Sequence, residues 1–167
     1  VFRAVDADAF CASGDTVVED LNINGELASG GAFDLSCITE VTGRLEIEST
    51  NASSINLSGL TQVGDEVEIH DNIDLQSIDL SSLTSIDGTL TIQSNNELTT
   101  VDLSSVDTID GDVRISSNPE FEALDMASLV EINGEAYIST NHKLETFDVS
   151  SLEEVNGTFE FQHNEGI

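Results

Sequence analysis

Glycines 88, 111, 134 and 157 stand at a constant interval of 23 residues. The residues between them repeat as well. The stretch Ile78 to Thr100, IDLSSLTSIDGTLTIQSNNELTT, returns as Val101 to Ala123, VDLSSVDTIDGDVRISSNPEFEA, then as Leu124 to Thr146, and again from Phe147. Self-similarity at such a period specifies a stacked-repeat architecture. One unit is too small to bury its own apolar face, so each must be covered by its neighbours.

Each unit contains two short alternating runs. The first holds Leu45/Ile47, Val67/Ile69, Leu90/Ile92, Val113/Ile115, Ala136/Ile138 and Phe159/Phe161. The second holds Phe33/Leu35, Ile55/Leu57, Ile78/Leu80, Val101/Leu103, Leu124/Met126 and Phe147/Val149. Period-two alternation of aliphatic residues predicts strands with one face buried. Nothing between the runs has a helical period, and the intervening Ser, Asn, Asp, Gly and Thr are turn formers. The chain is therefore predicted to be all-β: a parallel β-helix, or solenoid, of about seven coils stacked at about 4.8 Å around an aliphatic interior.

Three columns mark the expected corners. Gly43, Gly88, Gly111, Gly134 and Gly157, with Asp65 in the same slot, precede the first strand, where a positive φ is expected. Asn51, Asn72, Asn95, Asn118, Asn141 and Asn164 follow that strand and are expected to bond to one another and to turn backbone. Asp34, Asn56, Asp79, Asp102, Asp125 and Asp148 sit mid-way along the second strand and point outward.

Residues 1–20 fit the repeat poorly and read as an N-terminal cap, with 21–167 forming the repeat domain. Cys11 and Cys37 are the two cysteines. They read best as one disulfide sealing the N-terminal end, the other reading being two free buried thiols. The chain starts at Val1, which suggests a processed or trimmed product. It stops in mid-coil at Ile167, which suggests further coils, a cap, or end-to-end stacking. No apolar run is long enough to span a bilayer, and no signal peptide is visible.

Thirty-three acidic residues against four basic ones give a net charge of −29. Such a surface repels nucleic acid and anionic membranes. It fits either a soluble extracellular coat or adaptation to high salt, where mobile ions screen the repulsion.

The segments LSCITEVTGRLEI, SIDGTLTIQSN, TIDGDVRISSN and EINGEAYISTN, with the spacing L-x-I-x-x-N-x-x-L of Leu90, Ile92, Asn95 and Leu98, resemble the receptor L-domain repeat. That repeat is similar to, but distinct from, ordinary leucine-rich repeats. The likeness runs from about Cys11 to Ile167 and extends to fungal cell-wall and prokaryotic surface proteins. It implies a right-handed β-helix with a disulfide-bearing N-terminal cap, outside cells. The cysteine-rich module that follows the receptor versions is missing, so hormone recognition is not implied.

Two sets of side chains are candidate sites. Asp79, Asp102, Asp125 and Asp148 could bridge a divalent cation, with calcium as the ion; the competing reading has each bonding the turn that follows it. Thr91, Gln93, Arg114, Ser116, Tyr137, Ser139 and His142 form a candidate binding patch around the sole tyrosine, with Arg114 and Tyr137 near enough for a cation–π contact; otherwise they are an ordinary cross-strand pair. His70, His142 and His163 show no ligand spacing. Asn51, Asn56 and Asn156 head glycosylation sequons of a kind that arise by chance in such a composition. No resident cofactor and no catalytic group is expected.

The functional expectation is a non-catalytic, secreted or cell-surface repeat domain with an adhesive, recognition or envelope-structural role. Its partner would be a protein or glycan at the cell surface. The alternative is a scaffold that stacks on itself through open ends. A carbohydrate-active enzyme is the third reading, weakened because coil length leaves no room for the loops that wall a cleft.

Overall fold

The computed structural model describes residues 2–3, 11–25 and 31–167. A helical turn at 11–13 aside, the regular structure of the described residues is β. The strands make three sheets in which every pairing is parallel, and consecutive turns of chain supply successive strands. This is a three-sided β-solenoid.

The largest sheet has eight strands: β1 (Phe2–Arg3), β3 (Leu21–Gly25), β6 (Leu45–Thr50), β9 (Val67–His70), β12 (Leu90–Gln93), β15 (Val113–Ser116), β18 (Ala136–Ser139) and β21 (Phe159–Gln162). A six-stranded sheet comprises β4 (Ala32–Asp34), β7 (Ser54–Asn56), β10 (Ser77–Asp79), β13 (Thr100–Asp102), β16 (Ala123–Asp125) and β19 (Thr146–Asp148). The third sheet has seven strands: β2 (Val17–Val18), β5 (Glu40–Val41), β8 (Gln62–Val63), β11 (Ser85–Ile86), β14 (Thr108–Ile109), β17 (Glu131–Ile132) and β20 (Glu154–Val155). Six turns among the described residues therefore carry a strand in all three sheets, against the expected seven coils. Of the expected N-terminal cap, residues 4–10 lie outside the described residues; β1 and β2 pair in register with β3 and β5.

The sequence foresaw the first two sheets and not the third. Its strands are two residues long with one inward side chain, so they show no alternation to read. Their inward residues Val41, Val63, Ile86, Ile109 and Ile132 are nonetheless fully buried. They close the interior against the Leu/Val and Ile columns of the eight-stranded sheet. Each such side chain removed from water contributes about 1.5–3 kcal/mol, which gives a narrow stack of short strands its cohesion.

The corner glycines do not have the positive φ expected of them. The described glycines with positive φ are Gly14 and Gly25. Gly88, Gly111, Gly134 and Gly157 are required instead by the closeness of the coils. A Cβ on Gly111 would lie 2.6 Å from the carbonyl carbon of Gly88 and from the amide nitrogen of Thr89. The left-handed bend sits elsewhere, at Ser49, Asp71, Ser94, Ser117, Thr140 and His163, with φ between 48° and 58°. This single bend interrupts the in–out alternation and turns the next residue into the core. Left-handed backbone costs a non-glycine residue about 1–2 kcal/mol, and a β-branched residue is the least suited. Thr140→Gly is therefore expected to stabilise the fold by about 1 kcal/mol, after glycine's own entropic cost, seen as a higher urea midpoint. A lower midpoint would show that Thr140 is not strained there.

The residue after each bend is buried. Asn72, Asn95, Asn118 and Asn141 are completely inaccessible and Asn164 nearly so. Each Nδ2 donates to the carbonyl of the isoleucine in the preceding turn, at 2.9–3.0 Å. From Asn72 to Asn141, Nδ2 also donates to Oδ1 of the next asparagine at 2.9–3.2 Å. That Oδ1 takes the backbone N–H of the earlier residue too, at 3.1–3.3 Å. Asn51 does not belong to this column. It stands six residues after Leu45, whereas Asn72 and Asn95 stand five after the register partners Val67 and Leu90, so Thr50 occupies the slot and its N–H bonds Asn72 Oδ1 at 3.0 Å.

Cys11 and Cys37 form a disulfide, with Cα atoms 5.6 Å apart and a sequence separation of 26. It ties the helical turn at 11–13 to the turn after β4. Closing a loop of that length stabilises by about 3 kcal/mol through the unfolded chain. Reduction is expected to lower the unfolding free energy by about that amount in urea titrations with and without dithiothreitol; an unchanged midpoint would mean that the bond constrains nothing in the unfolded state.

Candidate functional site

Two faces carry the candidate residues. On the eight-stranded sheet, alternation sends every second side chain outward, and parallel in-register pairing stacks these into columns. One column runs Glu46, Glu68, Thr91, Arg114, Tyr137 and Glu160, and the other runs Glu48, His70, Gln93, Ser116, Ser139 and Gln162. The structure thus brings six of the seven expected patch residues together on β12, β15 and β18. His142 lies apart, exposed in the turn after β18.

Arg114 and Tyr137 are direct partners in register. The Arg114 guanidinium pairs with Asp112 two residues back in the chain. The Tyr137 hydroxyl accepts from Gln162 Nε2 at 3.3 Å, and the residue is 37 % exposed. Ser139 is buried and cannot touch a ligand on this face. A depression of about 170 Å³ lies between Arg114, Glu135, Tyr137, Thr158 and Glu160. It offers an aromatic wall, one guanidinium and carboxylates, a set suited to hydroxyl-rich or cationic partners.

The second face is the six-stranded sheet. Asn56, Asp79, Asp102, Asp125 and Asp148 stack in register along it. Asn56, Asp79, Asp102 and Asp125 border a shallow groove of about 570 Å³ that Ser54, Ser77 and Thr100 also line. Each Oδ1 in the column accepts the backbone N–H two residues on, at 2.9–3.1 Å. The same bond at Asp34, from the Ser36 backbone and then its hydroxyl, holds that carboxyl below the usual range. These aspartates shape the turn that follows each strand. One oxygen of each is committed to it, and successive carboxylates stand a full coil apart, whereas calcium gathers six or more oxygens at one point. Among the described residues, metal-ligating side chains converge elsewhere, at Glu46, Glu48 and His70.

Among the described residues, no helix is long and apolar enough to cross a membrane. The last turn leaves its inward side chains partly uncovered. Phe159 is 43 % and Phe161 36 % exposed, and the Phe147 ring stacks on Phe161 at 5.1 Å between centroids.

Fold and surface together define a β-solenoid repeat protein with one disulfide. Comparison with protein-family models, with curated proteins and with solved structures finds no match to this chain.

Proposed function

We propose that this chain is a non-catalytic module of the cell exterior, which presents the flat outer face of its solenoid for adhesion, recognition or envelope structure. The observation that carries the reading is the constancy of the turns. From Leu45 to Phe159, register partners in the eight-stranded sheet are 22 or 23 residues apart. No turn in that span grows a loop that would wall a catalytic cleft. The disulfide supports an oxidising compartment, and the L-x-I-x-x-N-x-x-L spacing supports kinship with receptor L-domain-like surface repeats. The partner would be a protein or glycan that meets the Thr91, Arg114 and Tyr137 face.

The test is binding of the labelled chain to a glycan array and to intact cells of its source. Tyr137→Ala and Arg114→Ala should each weaken capture at least tenfold while leaving the melting temperature unchanged. Turnover of a polysaccharide, or capture indifferent to both substitutions, would overturn the reading.

A second reading is a self-stacking scaffold. It requires the chain to sediment as concentration-dependent oligomers that Phe161→Lys disperses; a monomer at millimolar concentration would exclude it.

A further inference from the structure

We propose that Glu46, Glu48 and His70 form a site for a divalent transition-metal ion on the outer face of the eight-stranded sheet. Glu46 and Glu48 are alternate residues of β6 and so share a face. His70 of β9 is the register partner of Glu48 in the next coil. One ligating atom from each of the three lies within 4.8 Å of the others, and all three side chains are half-buried. Zinc holds nitrogen and carboxylate ligands at about 2.0–2.2 Å, so small rotamer changes would close this triad around an ion.

The surroundings fit a cation. His70 Nδ1 lies 3.1 Å from Asp71 Oδ2. A carboxylate on one ring nitrogen is the outer partner that metal-bound histidines commonly have, and it leaves Nε2 as the nitrogen for the ion. On Glu46, Oε2 takes Asn22 and Arg44, so Oε1 remains. Arg44 also pairs with Glu68 at 2.8 Å. Glu46 and Glu68 share the Arg44 guanidinium, and with Glu48 and Asp71 beside His70 the carboxylates outnumber it. The imidazole sets the class of ion: it suits zinc, nickel or copper, whereas calcium and magnesium take oxygen. Asn24 and Gln93 flank Glu48 and His70 in the same column and can supply further oxygen. A bound ion would cross-link two adjacent coils.

The test is calorimetric titration of the full chain with zinc at neutral pH in 1 M NaCl, where diffuse attraction to the acidic surface is screened within about 3 Å. One zinc per chain should bind. His70→Ala and Glu48→Gln should each weaken binding at least tenfold, and His142→Ala, which removes an imidazole 4.0 Å from Glu165, should not. Cobalt in place of zinc should give visible d–d absorption that His70→Ala abolishes. Circular dichroism checks that each variant is folded, and His70→Gln replaces His70→Ala if that one is not. Zinc binding unaltered by loss of His70, or displaced by equimolar calcium, would overturn the proposal, because the ion would then be held only by the general anionic surface.

Discussion

Asn118→Ala is expected to lower the unfolding free energy by about 4 kcal/mol, because it leaves several buried groups without partners at about 1–3 kcal/mol each. The side chain donates to the Ile92 carbonyl at 3.0 Å and accepts both the backbone and side-chain N–H of Asn95 at 3.1 Å. All of this lies in the interior, where Asn118 is wholly inaccessible. Asn118→Asp has nearly the same shape and should be worse at neutral pH, since an ionised carboxylate cannot donate to Ile92 and is buried without a cation. Burial would raise the pKa of the introduced carboxyl above its unfolded value. The folded state then binds the extra proton, so stability falls as pH rises from the unfolded value through the folded one. Urea titrations of both variants between pH 4 and pH 8 would measure this. If Asn118→Ala costs under about 1 kcal/mol, or Asn118→Asp is pH-independent, the asparagine column does not hold the coils together.

Salt is expected to have a comparably large effect, and in the opposite direction from its usual weakening of surface ion pairs. In-register stacking sets Asp79 beside Asp102, Asp102 beside Asp125, Asp125 beside Asp148, and Glu131 beside Glu154. Unit charges one coil apart in water repel by up to about 1 kcal/mol. Exposure reduces each pair, so these neighbours together cost about 2–4 kcal/mol at low ionic strength. In 1 M NaCl the screening length is about 3 Å and most of that cost disappears. The melting temperature should therefore climb steeply from 0.01 M to 1 M NaCl. The control is built into the chain: Asn56 occupies the aspartate column and makes the same turn bond, to the Ser58 N–H at 3.0 Å. Asp102→Asn combined with Asp125→Asn should keep the turns, raise the low-salt melting temperature and flatten the salt dependence. A salt-insensitive melting temperature would remove the electrostatic argument for a high-salt habitat and leave the acidic coat as a solubility feature.

Much of this fold is legible in the residues because stacking repeats one local environment many times. Leu90, Val113 and Ala136 share a column in space since they share a position in the period, and the same holds for Asp79, Asp102 and Asp125. The errors arise where the period breaks or where proximity between coils does the work. Asn51 looks like a column member by letter, but it stands one residue farther from Leu45 than Asn72 does from Val67, and Thr50 takes the place. The glycines look like sites of positive φ, but they are needed because adjacent backbones nearly touch, while the bend falls on serine, threonine, aspartate and histidine. His70 shows no ligand spacing along the chain because Glu46 and Glu48, which approach it, belong to the previous coil.

Local chemistry alone thus specified which side chains face inward, where turns recur, that two cysteines could meet, and that the exterior would be anionic. The tertiary structure decided which groups become neighbours across coils: the two-residue third sheet, the asparagine hydrogen-bond ladder, the like-charge stacks and the Glu46, Glu48 and His70 triad. The physical reason is that alternation and turn propensity act over a few residues. These contacts exist only once segments some 22–24 residues apart are brought to inter-strand distance.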